Sequence, residues 1–300
     1  MNARLADRPM IIDGHTHAWP PQDFAALAGL GQLLDDRLEE GSPYNWTPRF
    51  DGRLETLVEE EQRAGVDRFV LLPASSRPER GRELTEWAVR ASLEHPEIIP
   101  FGAVHPYSPH PELDLEVIAD HGLRAVKLHS LVQRFDPLSG PALNLYGLLE
   151  KRGLAVLMDS MYLAGATAVK PNLAVWVGAA LEMGLETVPE RITQIARRFP
   201  GLKIIAAHLG CCYGWHLLEP LYGLDQVWFD LAYVHRLISP ARTVEIIRAK
   251  GADRIIWATD APYRRPQNAL KWFLGLDLTP EEKERILARN LLDLLGGKNG

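Results

Sequence analysis

The sequence predicts an α/β protein closed into a (β/α)8 TIM barrel, and three observations carry that prediction. Apolar runs rich in β-branched residues recur near 10–15, 67–72, 98–104, 123–129, 154–159, 202–208, 226–231 and 254–260, each about the length of a strand. Amphipathic, charged segments separate them near 52–64, 79–94, 111–120, 141–152, 188–199, 214–222 and 239–250, with a last one near 279–296. Runs such as "RFVLL" and "KIIAA" lack polar alternation, as expected of parallel strands covered on both faces.

Taken in chain order, the first run, "IIDGHTHAWP", ends in two histidines one residue apart. An open doubly wound sheet would carry a Gly-rich phosphate turn at this point, so the closed barrel is the better reading. Residues 18–50 then delay the first helix, and residues 160–187 delay the helix after the fifth strand. In a barrel both connections lie over the C-terminal face, where sites form. They read as lids or walls of a pocket or, from their apolar content, as a subunit interface. The third run ends at His105, the fourth, "AVKLHS", at Lys127 and His129, and the fifth, "AVLMDS", at Asp159. The sixth, "IIAAHLG", ends at His208 and the eighth, "IIWATDAP", at Asp260.

Composition bounds the function. Three hundred residues with 46% hydrophobic content suit one barrel domain spanning 1–300. A net charge of −6 and a pI near 5.9 offer no general attraction to nucleic acid or anionic lipid. The N-terminus "MNARLADRPM" has no apolar signal region and no later run is long enough to span a bilayer, which points to the cytoplasm. The two cysteines, Cys211 and Cys212, are adjacent and read as free thiols of a reducing compartment.

Side chains at i and i+2 of a strand share a face, so His15 and His17 can address one ion, zinc or another first-row divalent metal. Alone, the pair is a weak signal. Ionisable groups ending the fourth, fifth, sixth and eighth strands at the same mouth make a coincidence costly, because buried charge needs a partner. Trp19, Tyr162, Trp215 and Tyr263 follow or lie near strand ends and can wall a substrate, although barrel packing explains each equally well. Lys127 and His129 are assigned to the substrate pocket, with pairing of Lys127 to a neighbouring carboxylate as its plainer role. Lys170, Arg264 and Arg265 in the βα loops hint at an anionic substrate.

In this order, HxH, "VKLH", "AHLG" and "TDAP", the chain resembles the amidohydrolase superfamily, in its amidohydrolase 2 or amidohydrolase-related branch. That branch holds metal-dependent hydrolases, lactonases and non-oxidative decarboxylases. The resemblance implies His15, His17 and Asp260 as metal ligands, His208 as acid/base or electrophile, and Asp260 as the acceptor of a water's proton. Asp159 stands where the family ordinarily has a histidine ligand; an aspartate still binds metal but favours harder ions. The implied cofactor is one divalent metal, zinc first, with manganese or magnesium as alternatives and a metal-free site also open. The implied activity is hydrolysis of a small amide, ester or lactone, the alternative decarboxylation of an aromatic or enoic acid. A silent barrel that binds a ligand or builds an assembly is the reading of another class. A small-molecule substrate and a possible homo-oligomer complete the expectations.

Overall fold

In the computed structural model, which describes residues 8–23, 46–74 and 76–296, parallel strands form at each of the eight apolar runs. They are β1 (Ile12–Thr16), β2 (Arg68–Leu71), β3 (Ile98–Pro100) with its continuation β4 (Gly102–Ala103), β5 (Ala125–Leu128), β6 (Ala155–Met158), β7 (Ile204–Ala206), β8 (Val227–Asp230) and β9 (Ile255–Ile256). Pairing runs β1-β2-β3 and then β4 through β9 in sequence order. The third run is divided at Phe101, whose amide still donates to Leu71 O at 3.1 Å. The last seam closes β9 onto β1 through Gly14 N to Trp257 O at 3.0 Å, Asp260 N to His15 O at 2.9 Å and His17 N to Ala261 O at 2.7 Å. The sheet is therefore a barrel.

Ile12, Val70, Phe101, Leu157, Ile205 and Ile256 fill its interior, while a larger cluster packs between strands and helices. The helices sit close to the expected segments: Leu54–Ala64, Gly81–Glu94, Pro111–Asp120, Gly140–Lys151, Pro189–Arg198 and Pro240–Lys250. Serine hydroxyls cap two of them, Ser139 accepting from Ala142 N and Ser239 from Arg242 N. The helix expected over 214–222 spans only Glu219–Tyr222, because Pro220 lacks an amide hydrogen and belongs in a first turn. The C-terminal segment is helical but opens into a π-helical stretch, Arg285–Arg289, where Ile286 O accepts from Trp257 N at 2.8 Å.

Besides the short turn Ser130–Gln133, three helices among the described residues lie outside the segments expected from the sequence. Pro266–Leu274 follows the eighth strand, and Leu163–Val169 and Ala174–Glu182 build the 160–187 connection. The last two are apolar on almost every face, so no stripe of period 3.6 announces them. They form a separate small core of Leu163, Leu173, Val177, Ala180 and Leu185, into which Trp46 packs from the first connection. The outer side of Ala174–Glu182 leaves Val175 89% exposed and Trp176 45% exposed. Residues 24–45, most of the 18–50 connection, lie outside the described residues. Among the described residues no helix is long and apolar enough to cross a membrane.

One backbone irregularity positions the site. The β1–β2 register slips between Asp13 and Thr16, a bulge that inserts one extra residue. Gly14 sits in it, and a Cβ there would lie 2.5 Å from Ile256 Cγ2 and 3.1 Å from Trp257 O. Gly14→Ala is expected to cost about 1–3 kcal/mol through overpacking, read as a lowered denaturation midpoint.

Candidate metal centre

Past the bulge, His15 and His17 turn into the barrel mouth. His15 Nδ1 lies 2.8 Å from Asp230 Oδ2, and His17 Nδ1 lies 3.2 Å from Leu72 O. Both acceptors suit a proton on Nδ1, which leaves Nε2 of each neutral ring as the atom available to a metal. Those two Nε2 atoms are 3.2 Å apart, and Asp260 Oδ1 is 3.2 Å from His17 Nε2 and 3.5 Å from His15 Nε2. Three metal-ligating atoms thus converge on one point, an arrangement that could hold a cation. Tetrahedral ligands on bonds of about 2.0–2.1 Å stand roughly 3.3–3.4 Å apart, so the spacing fits a divalent metal. Among the described residues, His15, His17 and Asp260 are the group whose ligand atoms converge within 4.8 Å.

Asp159, expected among the metal ligands, lies outside this group. Its Oδ2 is 3.0 Å from His208 Nε2 and 3.4 Å from His129 Nε2. Burial opposes its charge, but His129, His208 and Lys127 outweigh burial and hold the carboxyl well below the usual range. His208 is held at both ends, Nδ1 donating to Ala232 O at 3.1 Å and Nε2 to Asp159. With an ionised carboxylate on one nitrogen and a carbonyl on the other, both of its protons find acceptors. Burial works against that charge, yet the bond to Asp159 and the surrounding carboxylates push the His208 pKa up to about 9. His129 goes the other way, lowered to about 4 chiefly by burial.

Lys127 is fully buried and its Nζ lies 3.3 Å from His15 Nε2. Desolvation lowers its pKa, while Asp159, Asp260 and Asp230 act in the opposite direction through their charge. The expected carboxylate pairing is therefore electrostatic, with His15 as the hydrogen-bond neighbour. Trp19 stacks on His17 with ring centroids 5.9 Å apart, and Tyr263 meets the same ring edge-on at 6.4 Å. Tyr162 instead packs edge-on against His216, and Trp215 donates its indole proton to His208 O. His105 is buried, with Nε2 on Gln133 O and Nδ1 accepting from Tyr107 N, a local structural role. His208, Tyr233 and Asp260 all hold left-handed backbone, with φ of 61°, 66° and 67°. Such strain costs of order 1–3 kcal/mol per residue and gathers where a site needs it.

Two carboxylates escaped sequence reasoning. Asp230 ends the seventh strand, orients His15 and accepts from the amides of His208 and Ala232. Its signal was present, an acidic residue closing an apolar run as in the fifth and eighth strands. Asp13 points away from the mouth toward the helix Leu54–Ala64, where burial raises its pKa to about 7 and that of Glu61 well above the usual range. Arg264, in the loop after the eighth strand, has a buried guanidinium 3.7 Å from the Tyr233 ring centroid, and Tyr233 in turn meets His208 edge-on.

Comparison with known structures places this architecture. A Bordetella bronchiseptica TIM-barrel protein of uncharacterised function is 19% identical, with a TM-score of 0.70 over 96% of this chain and 99% of that one. A dihydroxybenzoic acid decarboxylase from Polaromonas sp. JS666, solved with bound manganese and the inhibitor 2-nitroresorcinol, is 15% identical, with a TM-score of 0.71 over 98% of each chain. A probable 2-pyrone-4,6-dicarboxylic acid hydrolase from Acinetobacter baumannii, with citric acid bound, is 15% identical, with a TM-score of 0.60 over 95% of this chain and 99% of that one. No curated protein sequence matches. The amidohydrolase family model (Amidohydro_2) matches residues 12–297, so nearly the whole chain falls within it, and this protein belongs to the amidohydrolase family.

Proposed function

We propose that this chain is a metal-dependent non-oxidative decarboxylase of a small aromatic or enoic carboxylic acid. The observation that carries the reading is His208, whose Nε2 faces the Asp159 carboxylate and whose Nδ1 faces Ala232 O, a pairing that favours the protonated ring. A mouth with a ready proton donor suits a reaction that delivers a proton. His15, His17 and Asp260 would hold a divalent cation, manganese, zinc or magnesium, which would supply positive charge to a substrate carboxylate or carbonyl oxygen. Manganese gains support from the bound ion of the Polaromonas decarboxylase.

The protein's own groups do the rest. Lys127 and Arg264 add positive charge for an anionic substrate, and Trp19 and Tyr263 wall its ring. As the bond to the carboxylate breaks, its electron pair stays on carbon and carbon dioxide leaves. That carbon takes the proton held between His208 Nε2 and Asp159, leaving His208 neutral with its Nδ1 proton still on Ala232 O. Solvent restores the proton. The catalytic unit is the single domain 1–300, and two buried free thiols suit a cytoplasmic setting.

Hydrolysis of a small amide, ester or lactone is the second reading, favoured by the carboxylate of Asp260 as an acceptor for a water's proton. Incubation of manganese-loaded protein in D2O with a panel of hydroxybenzoic and enoic acids, esters, amides and lactones separates the two. Decarboxylation releases carbon dioxide and places one deuterium on the carbon that lost it. Turnover of esters, amides or lactones alone would overturn the decarboxylase reading, and no turnover on the whole panel would favour a ligand-binding barrel.

A further inference from the structure

β9 keeps regular pairing only over Ile255 and Ile256, yet the donors His15, His17 and Asp260 stand beyond that point on two chain segments that must stay in register. Backbone bonds from Asp260 N to His15 O and from His17 N to Ala261 O cross the seam there, and side chains add to them. Asp13 Oδ1 accepts from the amide of His15 at 3.1 Å and from that of Thr259 at 3.0 Å, and Oδ2 accepts from the Thr259 hydroxyl. Thr259 Oγ1 accepts in turn from the Ala261 amide at 3.0 Å. Both residues are buried, and Glu61 lies against Asp13 from the helix Leu54–Ala64. One carboxylate and one hydroxyl thereby hold the backbone on either side of Asp260 and directly at His15.

We propose that Asp13 and Thr259 are positioning residues whose buried clasp sets the strand separation at which His15, His17 and Asp260 present their donors 3.2–3.5 Å apart. The proposal rests on the three-donor reading of the site. A parallel ladder closes by itself through backbone groups and needs no carboxylate. Here regular β9 ends at Ile256, separate backbone bonds continue the seam, and the bulge at Gly14 turns Asp13 away from the mouth, so its oxygens reach amides of both segments at once. Groups that orient metal ligands from behind change metal affinity by about 10–100-fold when removed.

Three variants test this: Thr259→Val, which keeps the shape but loses the hydroxyl, Thr259→Ser, which keeps the hydroxyl, and Asp13→Asn. Mn(II) affinity is measured by calorimetry on protein shown by circular dichroism and thermal melting to be folded. Amide exchange at Asp260, whose N–H donates to His15 O at 2.9 Å, is followed without metal. Thr259→Val and Asp13→Asn are expected to bind Mn(II) about 10–100-fold more weakly and to exchange the Asp260 amide faster, while Thr259→Ser matches the parent. Parent-like affinity and exchange in both Thr259→Val and Asp13→Asn overturn the clasp. Failure of the parent itself to bind Mn(II) removes the three-donor reading, and the Asp260 exchange rates then decide the clasp alone.

Discussion

Asp260→Asn is expected to lose bound metal and turnover together. Asp260 Oδ1 is the anionic member of the donor group, 3.2 Å from His17 Nε2 and 3.5 Å from His15 Nε2. An amide in its place offers a neutral oxygen, or an NH2 turned toward two lone pairs. Either leaves two imidazoles, too few donors for a site normally built from three or four protein ligands. Metal affinity should fall by more than about 100-fold and kcat by about 10²–10⁴-fold, read by elemental analysis after dialysis and by the carbon dioxide assay. The backbone contacts of residue 260, its amide on His15 O among them, do not involve the side chain, so the fold should survive. Full metal content in this variant would remove Asp260 from the ligand set.

How much of this site was legible depends on what kind of information each residue carries. Strand positions were readable because runs such as "RFVLL" must be buried on both faces, and the carboxyl ends of those runs had to gather at one mouth. His15, His17, Lys127, His129, Asp159, His208 and Asp260 do meet there. Alternation failed at one residue. A regular strand puts Asp13 on the face of His15 and His17, but the bulge between Asp13 and Thr16 turns it toward Thr259 and Glu61. Nothing in "IDGHTH" marks a bulge except the glycine, whose reason, the approach of Ile256 and Trp257, is a long-range contact. Asp230 was legible by type and position, yet its partner His15 lies 215 residues away. The helices of the 160–187 connection were hidden for a different reason: a segment apolar all round has no periodicity to read.

Asp159→Asn is expected to keep the metal and lose turnover, the opposite pattern to loss of a ligand. The prediction follows from the place of Asp159 outside the three-donor group, 3.0 Å from His208 Nε2 and 3.4 Å from His129 Nε2 on the same oxygen. Asparagine is the informative replacement. Truncating one partner of a buried ion pair to alanine costs roughly 3–5 kcal/mol, enough to confuse misfolding with lost chemistry, whereas asparagine keeps the volume and one acceptor. What it removes is the negative charge that keeps His208 protonated against burial. The direction of the pH effect follows. In the parent, activity that needs the imidazolium persists at lower pH and is lost as pH rises through about 9. Without the Asp159 charge, burial pulls the His208 pKa down, so that arm moves to lower pH and kcat near neutrality falls by about 10²–10⁴-fold. Metal analysis and a pH–rate profile on the same preparation distinguish the cases: metal lost with activity would return Asp159 to the ligand set, and an unmoved arm would deny it any hold on His208.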